Sequence, residues 1–71
     1  MQRFGEKLRA LRKQHGLTMK ELAQQMALTG HGHISNVETG KKSPSLEFVI
    51  KVADIFNVSL DQLVRDELDL D

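Results

Sequence analysis

The segment Leu28-Thr29-Gly30-His31-Gly32-His33 sets two imidazoles two residues apart among glycines, with a third, His15, upstream. An imidazole can ligate a metal, relay a proton or donate a hydrogen bond to an anion. Zinc needs about four converging ligands, or three with one open position. Histidines two apart on a helix point in different directions, His15 ends another element, and the chain has no cysteine. No metal is therefore expected. The glycines do not make a phosphate loop either, because the preceding strand, the glycine spacing and the lysine are all missing. No nucleophile–base–acid set is evident, and 71 residues leave little bulk for a walled cleft. The sequence predicts neither an enzyme nor a cofactor. Polar contact with a partner remains, and the Lys41-Lys42 pair beyond the histidines adds positive charge to it.

These side chains must be positioned by short helices. Phe4, Leu8 and Leu11 share one face of a first helix that Gly16 ends. Thr18 and Glu21 have capping-box spacing, and Leu17 with Leu22 resembles a hydrophobic staple, so a second helix starts at Thr18 and runs to about Met26. Its buried face is Leu22, Ala23 and Met26. The glycines make 28–32 a turn, because each costs close to 1 kcal/mol inside a helix. A third helix runs from His31 or Gly32 to Thr39, with Ile34 and Val37 inward and Gly40 as its stop. Pro44 disfavours helix at Ser43, and Ser45 caps a fourth helix burying Leu46, Val49, Ile50, Ala53 and Phe56. Asn57 ends it. Ser59 and Gln62 open a fifth helix through Leu60, Leu63 and Val64. The expected organisation is one all-α domain over 1–65 and a frayed acidic tail over 66–71.

Ten basic and ten acidic residues cancel, which argues against a nucleic-acid partner, whose usual footprint is a basic surface. The distribution is uneven, however. Arg3, Lys7, Arg9, Arg12, Lys13 and Lys20 face only Glu6 in the first twenty positions, whereas Asp61, Asp66, Glu67, Asp69 and Asp71 crowd the end around Arg65. A chain this small buries only about 60% of its unfolded surface, so self-association is a natural supplement. No apolar run approaches the roughly 20 residues that cross a membrane, and no secretory leader is evident; a cytoplasmic protein is expected.

Two helices joined by a turn are the unit that sets a reading helix into the DNA major groove. The run LTMKELAQQM followed by HISNVETGKKSPSLEFVIKVADIFNVSLDQL closely resembles the Cro/C1-type (XRE) helix-turn-helix family. The resemblance rests on Leu17-Thr18, Glu21-Leu22-Ala23, Ile34-Ser35, Glu38, Gly40, the basic residues before Pro44-Ser45, and Val58 to Leu63. It implies a compact five-helix, lambda-repressor-like domain that binds double-stranded DNA as a homodimer at a pseudo-palindromic operator, commonly as a repressor. By position it implies that Arg12 pairs with Glu38. His31, Gly32, His33, Asn36 and Thr39 would face the bases, with Asn36 suited to bidentate contact with adenine. Thr18, Lys20, Ser35, Lys41 and Lys42 would contact phosphates.

Two departures from the family pattern stand out. The turn before Ile34 holds one extra residue, and Met19 replaces a common glutamine. No arginine lies between residues 13 and 64, which removes the bidentate guanine contact from the third helix. Ile55, Phe56, Val64 and Leu68 are the expected apolar dimer patch, with domain core as the competing role. A second reading keeps the fold but gives it a protein partner, such as a toxin or another regulator.

Overall fold

The computed structural model describes residues 1–28 and 30–70. Five helices follow in order: α1 (Phe4–Gln14), α2 (Met19–Gln25), α3 (Gly32–Glu38), α4 (Leu46–Phe56) and α5 (Leu60–Val64), with no strand among the described residues. Most helix ends have a local cause. Thr18 Oγ1 accepts from the Glu21 N–H (3.0 Å) while the Glu21 carboxylate accepts from the Thr18 N–H (2.8 Å). Ser59 and Gln62 repeat the box on α5, and Ser45 caps α4. Gly16, Gly40 and Asn57 adopt the left-handed backbone that ends α1, α3 and α4. No helix among the described residues is long and apolar enough to cross a membrane.

The core joins Phe4, Leu8 and Leu11 of α1 to Leu22, Ile34, Val37, Val49, Val52 and Leu63. Gly5 lets α1 lie directly on the end of α3. A β-carbon there would strike the main-chain oxygen of Val37 and come within 2.8 Å of that of Glu38.

Several sequence expectations are corrected. On α4 the buried row is Phe48, Val49, Val52, Ala53 and Phe56, while Leu46 is 71% and Ile50 40% exposed. Val49, Ala53 and Phe56 belong to either row, and Phe48 decides the rotation. Its ring meets Phe4 edge-on at 6.2 Å and His33 at 5.0 Å, contacts that a leucine at 46 would not replace. On α5 Leu63 is fully buried, while Leu60 is 41% exposed.

The acidic end is not frayed. Asp66 accepts from the Gln2 and Arg3 N–H groups, both at 2.9 Å, which supplies the cap α1 lacks locally. In return Lys7, buried on α1, donates from Nζ to the carbonyls of Gln62 (2.6 Å), Arg65 (2.8 Å) and Leu68 (2.7 Å). Each helix thus caps the other's end. The sequence contains the signal for Lys7, because positions 4, 7, 8 and 11 form one helical stripe. Asp71 lies outside the described residues.

Candidate nucleic-acid interface

The turn between α2 and α3 begins with a sharp reversal. Leu28 N–H bonds to the Ala23 carbonyl (2.9 Å) and Ala27 N–H to that of Gln24 (3.1 Å), a Schellman closure with Ala27 left-handed at φ 58°. A β-carbon in that region costs about 1–2 kcal/mol. Thr29, part of the expected turn, lies outside the described residues. The chain re-enters helix at Gly32, with His31 at the N-cap making no side-chain cap.

α3 is held from behind. The Arg12 guanidinium grips Glu38 with two bonds, Nε to Oε2 at 2.7 Å and Nη2 to Oε1 at 3.1 Å, and Nη1 donates to the Leu17 carbonyl (3.0 Å). The Glu38 side chain is 2% exposed and that of Arg12 10%. The hydrogen bond to Glu38 raises the Arg12 pKa against the opposing effect of burial. The pair ties α1, the α1–α2 connection and the end of α3 into one unit.

The opposite face of α3 carries the residues expected to meet DNA. His31 and Gly32 are exposed at its leading end, and Asn36 is half-buried one turn on. Ser35 is half-buried, and exposed Thr39 donates its hydroxyl proton to the Ser35 carbonyl (2.8 Å). Its methyl group and lone pairs remain for a partner. His33 leans the other way, half-buried against Phe48 at the α3–α4 seam. The Asn36 carbonyl accepts from the Lys42 N–H (3.1 Å), which draws the Lys41-Lys42 loop against the end of α3.

Thr18 and Lys20 are exposed at the start of α2. A groove of about 370 Å³ separates α2 from the turn, lined by Lys20, Gln24, Gly30 and His31 among others. Gln24, which the sequence reading passes over, follows Lys20 by four residues and therefore shares its face. Lys51, also unexpected, borders a smaller groove beside His33, with Ser45 and Glu47.

Part of the charge is taken up in ion pairs. Arg3 pairs with Asp69 and Glu6, Arg65 with Asp61 and Glu67, and Arg12 with Glu38. Among the described residues Lys20, Lys41 and Lys42 enter no such ion pair. Neutral composition therefore coexists with unpaired cations around α2 and α3. Among the described residues, no three His, Asp or Glu side chains cluster to hold a metal.

The expected dimer patch divides. Phe56 fits the competing core role: only 5% exposed, with its ring against His15 at 4.8 Å. Ile55 and Val64 are half-buried against the core, and Leu68 is 37% exposed.

The sequence profile of the helix-turn-helix family matches residues 8–63. The HTH-type transcriptional regulator ImmR of Bacillus subtilis (strain 168) is 32% identical over 66 residues, covering 92% of this chain and 51% of that protein. The chain thus spans about half the length of that relative. Among solved structures, the N-terminal DNA binding domain of SinR from Bacillus subtilis superposes with a TM-score of 0.83 at 25% identity, covering 94% of this chain and 97% of that one. The restriction-modification controller protein C.AhdI from Aeromonas hydrophila gives 0.76 at 31% identity, with 87% and 92% covered. With its profile match running from α1 into α5 and the α2–turn–α3 unit braced by Arg12 and Glu38, this chain belongs to the helix-turn-helix family.

Proposed function

We propose that this domain is a Cro/C1-type (XRE) regulator that binds double-stranded DNA sequence-specifically, as a homodimer at a pseudo-palindromic operator, and represses transcription in the cytoplasm. One observation carries the reading: α3 is locked to α1 through Glu38 while its far face, bearing His31, Gly32 and Asn36, stays open between unpaired lysines. Asn36 reads bases, with Gly32 allowing close approach and Thr39 at the edge. Lys20, Lys41, Lys42, Thr18 and Ser35 hold phosphates. His33, at the α4 seam, meets the backbone of the groove rather than its floor. The dimer surface draws on Leu68, Val64 and Ile55, with Leu60 added because it is 41% exposed and one turn before Val64.

The test is selection of bound duplexes from random genomic fragments by the purified protein, followed by titration at several salt concentrations. A two-fold-symmetric enriched site whose affinity falls steeply with salt is expected. Lack of any enriched, salt-sensitive site would overturn the reading and favour the protein-partner alternative.

A further inference from the structure

We propose that DNA binding by this domain takes up protons through His31 and His33, so that affinity rises as pH falls. The inference rests on the DNA-binding reading and concerns how its contact is charged. α3 contains no lysine or arginine, and none stands at its leading end. The groups there able to become cationic are the imidazoles of His31, exposed at the N-cap, and His33, half-buried on the α4 side. Imidazole changes charge within the range where most regulators operate.

Their neighbours frame the effect. His31 faces Lys20 and Gln24 of α2 across the 370 Å³ groove. His33 faces Glu47 and Lys51 of α4, with Phe48 beneath it. Lys20 and His31 line the same groove, so a phosphate seated there is within reach of both side chains. Glu47 and Lys51 set one charge of each sign along the groove that His33 lines. A protonated imidazole also has two donors for phosphate or base acceptors, where the neutral ring has one. His15 lies elsewhere, its Nδ1 3.0 Å from the Leu11 carbonyl and its ring on Phe56.

By linkage, each proton taken up on binding raises affinity by up to about tenfold per pH unit. Each imidazolium set against a phosphate steepens the salt slope by up to about 0.9. The experiment is fluorescence anisotropy with a labelled mixed-sequence duplex between about pH 8 and pH 6 at constant ionic strength. Tighter binding and a steeper salt slope at the lower pH are expected. His31→Gln should weaken both trends, the His31→Gln/His33→Gln pair should abolish them, and His15→Gln should leave them intact. Because His33 packs on Phe48, His31→Gln alone decides the matter if the double variant loses helix content. A flat pH profile for the unaltered protein, or an undiminished one in His31→Gln, overturns the proposal while leaving DNA binding standing. Failure to bind the duplex at any pH overturns both.

Discussion

Asn36 offers its side-chain amide without a hydrogen-bonding partner among the described residues, while its carbonyl anchors the Lys42 backbone. Asn36 and Lys41, the neighbour of Lys42, should separate cleanly on substitution. Asn36→Ala should cost about 1–3 kcal/mol of binding at the selected site and little on unrelated duplexes. Lys41→Ala should weaken all duplexes alike and reduce the salt slope by about 0.9; competition titrations with both kinds of DNA distinguish the patterns. Ala27 belongs to the same scale but to stability. Relieving its left-handed strain gains about 1–2 kcal/mol, while glycine's freer unfolded chain returns about 0.4–1 kcal/mol. Ala27→Gly should therefore raise the thermal midpoint, by about 4 °C for a domain of this size. A lowered midpoint in calorimetry would show that the alanine methyl group is favourably packed.

Between elements, the Arg12–Glu38 fork is the joint that matters most to the reading helix. Glu38→Ala leaves a buried, unpaired guanidinium and should destabilise by about 3–5 kcal/mol, against a total on the order of 4–10 kcal/mol for 71 residues. Urea unfolding measures the loss, and replacing both partners with methionine should recover much of it. A second joint has a pH signature. The N–H groups of Arg3 and then Gln2 hold the Asp66 carboxyl below the usual carboxylate range. A depressed native value means that the unfolded chain binds the proton more readily, so this stabilisation is present above about pH 4 and is lost as pH falls further. Glu21, held down by Thr18, acts with the same sign. Asp66→Asn should flatten part of the acid limb of stability, read by circular dichroism from neutral to acid pH. What was legible in advance follows from range. Thr18–Glu21, Ser59–Gln62 and the left-handed stops act within a few residues, and a linear reading finds them. The rotation of α4 was not legible, because both Leu46–Ile50 and Phe48–Val52 extend the same apolar row and only Phe4 and His33 choose between them. Nor was the docking of the acidic end: the stripe through Lys7 marks it for burial, but its partners and those of Asp66 lie more than fifty positions away.

The molecule measures 31 × 23 × 19 Å, whereas successive half-sites on one face of DNA lie about 34 Å apart. A molecule of this length matches one half-site of the proposed operator, so the proposal calls for two copies. Leu60→Asp should shift the sedimentation equilibrium toward monomer and weaken binding to a palindromic duplex far more than to a single half-site. Unchanged self-association in that variant would remove α5 from the interface. The separation of charge also acts at this scale. Glu6, Asp61, Glu67 and Asp69 are paired with Arg3 and Arg65, so zero net charge does not mean that charge is spread evenly over the surface. The bare α-carbon of Gly5 carries a last consequence. Because α1 rests on the main-chain oxygens that finish α3, position 5 works as a spacer of minimum thickness, setting how closely the two helices approach. A side chain at position 5 would thus have to push the proposed reading helix from behind before it could be seated at all.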